Sequence, residues 1–165
     1  MATWWLAIAL IAVALGGCGN DGGGGRGDTG SHPTRRTVHL GQEPHVTVPD
    51  EPPPRELTVD DLVVGDGPSA APGDIATFHD VGVRHADGEE LDSSWNRGIP
   101  ARFSLAQVLP GFAKGIAGTD GIEAMRVGGR RVLILPPHEA YGENPPGGGP
   151  ADTLIFVVDL VALDE

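Results

Sequence analysis

The sequence lacks the groups on which most catalysts rely. Its single cysteine, Cys18, can form no disulfide within the chain. Its single lysine, Lys114, is one of 11 basic residues set against 23 acidic ones, a formal net charge of −12 at pH 7. No basic stripe interrupts that acidity, so the chain repels phosphate backbones and a nucleic-acid-binding role is set aside. Aromatic residues make up only 5% of a chain that is 39% hydrophobic, enough for one modest core. The histidines show no ligand-like spacing, and His32, His39 and His45 fall in polar linker. His138-Glu139 begins like a zinc-protease helix, but Gly142 stands where the second histidine belongs. There is neither a nucleophile elbow nor a phosphate-binding loop. No metal and no cofactor is expected.

What is present falls into three stretches. The apolar run Trp4 to Leu15 is short for a spanning helix, which needs roughly 20 residues, and fits the core of an export signal. No Lys or Arg precedes it. Leu15-Gly16-Gly17-Cys18 then resembles a bacterial lipoprotein box. This resemblance implies a signal peptide over 1–17 and a lipidated Cys18 that holds the domain outside the cytoplasmic membrane, in the cell envelope. Residues 18–55 form a Gly- and Pro-rich tether, loose over "GNDGGGGRGDTGS" and stiffened at Pro52-Pro53-Pro54. Folded character begins near Glu56 and continues to residue 165.

Within 56–165 the pattern is mostly extended. "ELTVDDLVV" reads as a strand closed by glycine and proline turns, and Asp87-Gly88 as the turn of a hairpin. "ARFSL", "RRVLILP" and "TLIFVVDLVAL" read as further strands, the last apolar enough to be central. "LPGFAKGIAG" is a helix: Pro110 suits its first turn, and Phe112 and Ile116 share one face. These elements predict an α+β domain, an antiparallel sheet with one short helix as the sole cover of its apolar face.

Four segments in order, "ADGEELDSSWNRG" (86–98), "QVLPGFAKGI" (107–116), "MRVGGRRVLILPPHEAYG" (125–142) and "TLIFVVDL" (153–160), together resemble the FKBP-type peptidyl-prolyl cis-trans isomerases. The resemblance implies a twisted half-barrel wrapped on one helix. It also implies an activity that needs no nucleophile: rotation of an X-Pro bond in a dry pocket. By that resemblance Phe112 is the pocket floor, and Tyr141 offers its hydroxyl to a ligand carbonyl. Asp92 is the pocket aspartate, Arg97 its partner, and Phe156 the aromatic of the last strand. Leu91 replaces a phenylalanine, and Val108 and Leu109 line one wall. Without the resemblance, Phe112, Val108, Leu109 and Phe156 read as ordinary core. Asp92 then reads as a turn cap, Arg97 as a solvated charge and Tyr141 as a structural residue.

Three departures bear on activity. Asp80 stands in the pocket wall where the family carries a tyrosine, and Ala101 where a phenylalanine is common. The loop "GENPPGGGPAD" after Tyr141 has no isoleucines to roof the pocket, so a wider, wetter cleft with weakened catalysis is expected. The expected partners are proline-containing polypeptides met by a monomer. The alternative is an FKBP-fold binding module or chaperone with little or no turnover.

Overall fold

The structure is a computed structural model that describes residues 40–145 and 149–164. Six strands form one antiparallel sheet: β1 (Thr58–Val63), β2 (Ile75–Arg84), β3 (Glu90–Ser93), β4 (Ala101–Ser104), β5 (Arg130–Leu135) and β6 (Leu154–Asp164). The order across the sheet is β1-β5-β6-β2-β3, with β4 also on β2. The most apolar run, β6, lies in the middle, where both faces are covered: Leu154 through Leu160 are all buried. Asp87-Gly88 does turn a hairpin, with Gly88 at φ 74° and its N–H bonded to Arg84 O.

The helix α2 (Pro110–Ala117) starts on Pro110 and buries Phe112 and Ile116. Its glycines face the sheet because nothing larger fits: a Cβ on Gly115 would stand 2.6 Å from Leu133 Cδ2. That close approach seats Phe112 deep among Phe78, Leu133 and Phe156 in the main core. A second helical turn, α1 (Ser94–Arg97), is capped by the Ser93 side chain, which accepts from Asn96 N–H. It was not anticipated, because four residues are too few to show a period.

The sheet's other face has its own apolar cluster, Val81, Val83, Val132, Ile155 and Val157. Here the expectation that α2 is the only cover needs correcting. Val46 and Val48, inside the stretch read as tether, pack on this face, and Pro44 is buried. Arg130, itself buried against Asp159, donates to Gln42 O at 2.8 Å, and Ser93 bonds Glu43 at 3.2 Å. The alternation of β2 and β6 leaves valines on both faces, so the sheet binds a strap as well as a helix.

The candidate cleft between sheet and helix

On the outer edge of β2 the ladder is interrupted. β4 pairs with Ile75–Phe78 and β3 with Val81–Val83, which leaves His79 and Asp80 without a strand partner there. The buried hydroxyl of Ser94 takes the strand's place. It accepts from Asp80 N–H at 2.8 Å and lies 3.3 Å from Asp80 O, where it can donate. A serine side chain thus satisfies backbone groups that would otherwise be orphaned. The same contact pins α1 against β2 and carries Arg97 beside Asp80.

Beside that gap opens a cleft of about 290 Å³, lined by Phe78, Asp80, Phe103, Gln107, Val108, Leu109, Phe112, Tyr141 and Phe156. The chain has four phenylalanines and one tyrosine, and all five are in this lining. The rings form a graded surface. Phe78, Phe112 and Phe156 are buried at its floor, whereas Phe103 and Tyr141 are 54% and 48% exposed at its rim. Phe112 stands 5.2 Å from Phe78 and meets Phe156 edge-on at 5.4 Å, separations at which aromatic quadrupoles attract. Gly82 lets the Phe156 ring lie flat on β2, since a Cβ there would fall 2.5 Å from the ring. Tyr141 follows the 3₁₀ turn Pro137–Glu139 and is held in place by Gly142, at φ 87°, whose N–H bonds Pro137 O at 2.7 Å.

One charged group enters this apolar wall. The Asp80 side chain is only 6% exposed, and its Oδ1 has no hydrogen-bond partner. Arg97 Nη2 lies 3.7 Å away, while Nη1 of the same guanidinium is bonded to Asp92. Burial pushes the Asp80 carboxyl from an ordinary 3.8 up to about 6. The Asp92 carboxylate adds to the rise; Arg97 and the Ser94 hydroxyl oppose it. Among the described residues no cluster of His, Cys, Asp or Glu could hold a metal ion.

An apolar cleft with an aromatic floor and polar groups to one side can bind a proline ring and its flanking carbonyls. The comparisons with known proteins agree. Residues 67–161 match the family described as FKBP-type peptidyl-prolyl cis-trans isomerase. An FK506-binding protein of Streptomyces anulatus is 47% identical over 127 residues, 74% of this chain and 98% of that protein. The chain belongs to the FKBP-type peptidyl-prolyl cis-trans isomerase family. A probable FK506-binding protein of Corynebacterium glutamicum is 41% identical, over 73% of this chain and 98% of its own length. The crystal structure of AtFKBP13, from Arabidopsis thaliana, superposes with a TM-score of 0.60 at 38% identity, covering 67% of this chain and 94% of that one. The open antiparallel sheet on one short helix is therefore the FKBP fold.

The cleft gathers six of the FKBP site residues named from sequence: Asp80, Val108, Leu109, Phe112, Tyr141 and Phe156. Leu91 and Asp92, on β3, and Arg97, on α1, do not line it; Asp92 is half-exposed and reaches the site only through Arg97, which faces Asp80 at 3.7 Å. Phe78, Phe103 and Gln107 line it and were not named. The strand alternation held the signal for two of them: Phe78 stands two residues from Asp80, and Phe103 two from Ala101 on β4, so each pair shares a face. Ala101 itself is buried against the core, leaving the rim to Phe103. Of the loop read as a flap, 146–148 lie outside the described residues, and none of the described remainder, 142–145 and 149–152, lines the cleft. Gly149 does approach Tyr141: a Cβ there would lie 3.3 Å from Tyr141 Cγ. The proposed signal peptide and Cys18 also lie outside the described residues.

Proposed function

We propose that this FKBP-type isomerase accelerates X-Pro rotation in exported polypeptides by holding the proline on the Phe112 floor of the cleft. The observation that carries the reading is the convergence of every phenylalanine and the single tyrosine on one cleft in a chain so poor in aromatics. Rotation about a peptide bond must overcome about 18–20 kcal/mol because resonance is lost. As the amide twists, its charge separation shrinks. An apolar cleft therefore favours the twisted form over the planar one, which is differential binding of the transition state. A thousandfold acceleration needs only about 4 kcal/mol of that difference. Tyr141 stands at the rim, where it can orient a flanking carbonyl, and Arg97, held by Asp92, acts on the cleft through Asp80.

A protease-coupled assay on an Ala-Leu-Pro-Phe peptide tests the reading. The intact domain should exceed the buffer rate, and Phe112→Ala should lose the excess; a rate equal to buffer abandons it. The charge on Asp80 in the wall favours a second reading, a binding module with little turnover. That reading would show as retention of an unfolded client without acceleration.

For location we propose export and a lipid anchor on Cys18, with the domain working as a monomer in the cell envelope. The apolar run before Leu15-Gly16-Gly17-Cys18 supports this. Palmitate label should enter the chain and vanish in Cys18→Ser; label that persists moves the anchor elsewhere.

A further inference from the structure

The isomerase reading leaves one buried group unused. An X-Pro bond is a tertiary amide. It has carbonyl oxygens to offer and no N–H at the proline. An ionised carboxylate can only accept hydrogen bonds, so a charged Asp80 facing the X-Pro bond itself sets acceptor against acceptor in an apolar cleft. A neutral carboxyl group in the same place carries one O–H and can donate. We propose that Asp80 is a substrate-positioning residue of the cleft, whose neutral carboxyl donates its O–H to a carbonyl of the bound X-Pro peptide. The substrate class rests on the isomerase reading; the requirement for a neutral donor rests on the cleft alone.

Three observations support it. Asp80 lines the cleft with its side chain more than nine-tenths buried and Oδ1 unpartnered. Arg97, the one cation beside it, is engaged by Asp92 and stands at 3.7 Å, too far for a hydrogen bond. Two further ionisable groups stand near Asp80: Asp92 of β3, whose carboxylate favours its neutral form, and His79 of β2, whose Nδ1 lies 3.0 Å from the Ser94 hydroxyl on the other side of the strand; the remaining groups that face it are uncharged. β6 presents Phe156 and Val158, α2 presents Phe112, the loop after β5 presents Tyr141, and α1 presents the Ser94 hydroxyl. Arg102 of β4 is bonded to Asp164. Burial already holds the carboxyl at about 6, and a proline ring that displaces water from the cleft raises it further. A group titrating there is about nine-tenths neutral at pH 5 and about one-hundredth neutral at pH 8.

The test is calorimetric binding of a capped, uncharged Ala-Leu-Pro peptide to the full chain at pH 5 and pH 8. Wild type should bind at least about tenfold more tightly at pH 5. Asp80→Asn, which keeps an N–H donor without charge, should bind equally at both pH values, within about twofold of wild type at pH 5. A wild-type affinity that does not change with pH overturns the proposal, as does an Asp80→Asn protein that keeps the wild-type slope. A readout that needs no variant is the carbon NMR titration of the Asp80 carboxyl. Saturating peptide should raise its midpoint, and an unchanged or lowered midpoint also overturns the proposal. Exchange NMR on the same samples reports the isomerisation rate. pH-dependent binding without acceleration removes the isomerase reading and leaves Asp80 in its role. Acceleration with flat binding does the reverse, and no binding at either pH removes both.

Discussion

The floor of the cleft, built from Phe78, Phe112 and Phe156, uses residues the domain would bury in any case, so folding and function pull the same way there. The side formed by Asp80, Ser94 and Arg97 behaves oppositely. It fills a break in the strand ladder, buries a carboxyl among rings, and leaves an oxygen of that carboxyl unpartnered. One wall stabilises the fold and gives the pocket an apolar floor. The other carries a buried carboxyl that opposes the fold, and among the described lining residues Asp80 is the polar side chain that is buried. Local conflict of that kind is what a functional position looks like when the surrounding structure over-determines it.

The contrast is broken most severely from the aromatic side. Phe112 is 4% exposed and touches both other floor rings. Phe112→Ala should lower unfolding stability by about 3–5 kcal/mol, through lost transfer energy and the cavity left behind, and remove acceleration with it. Chemical denaturation and the coupled assay measure the two effects on one sample. Phe112→Trp should keep both, because the cleft has room on its open side.

On the polar side the sign should reverse. The Asp80 carboxyl titrates at about 6 in the fold against 3.8 in an unstructured chain. Its folded form therefore binds protons more readily, and its contribution falls as pH rises from about 4 through 6. Above that window the ionised, buried group costs the fold up to about 3 kcal/mol. Asp80→Asn should thus be more stable than wild type at pH 7.5 by roughly 1–3 kcal/mol, with the gain shrinking towards zero near pH 4. Urea melts at the two pH values decide it; equal stability at pH 7.5 would mean that the charge is better solvated than its burial implies.

These opposite effects also explain what could be read from the sequence. Phe112 was legible because Pro110, Phe112 and Ile116 fit a helix with one apolar face. Phe156 was legible because β6 is apolar on both faces and so central. The position of Asp80 was legible by resemblance, but its surroundings were not. Ser94, the residue that closes the gap in the ladder and draws α1 inward, is a plain serine in a turn-forming run, and only the register of β3 and β4 on β2 shows why it is needed. The strap at 42–48 was hidden for a related reason: Val46 and Val48 lie among polar residues, and their partners, Val81 and Val157, are distant in sequence. Side chains fixed by long-range pairing leave no local period to detect.

Arg97 is the hinge between the two walls, and removing it should sharpen the contrast without unfolding the domain. Its side chain is 41% exposed, and its charge holds the Asp80 carboxyl down. Arg97→Ala should therefore move the Asp80 titration above about 6, leaving more of the group neutral at pH 7. A carbon NMR titration reads this directly. A midpoint that stays in place would show that burial alone sets it.

The smallest effect belongs to Tyr141, where the two kinds of chemistry meet in one side chain. Its ring extends the aromatic surface to the rim, and its hydroxyl is the polar end of that surface. At 48% exposed, with its backbone fixed by the 3₁₀ turn and Gly142, it contributes little to the core. Tyr141→Phe keeps the ring and deletes one hydroxyl, so the stability of the fold should not move. If that hydroxyl orients a carbonyl of the bound peptide, its loss removes one neutral hydrogen bond in a partly wet site, about 1 kcal/mol, or roughly fivefold in kcat/KM. Because such a bond forms with planar and twisted amides alike, the loss should fall on KM and leave kcat nearly unchanged. A fall in kcat at constant KM would instead place the hydroxyl on the twisting amide itself and move it from holding the substrate to stabilising the transition state.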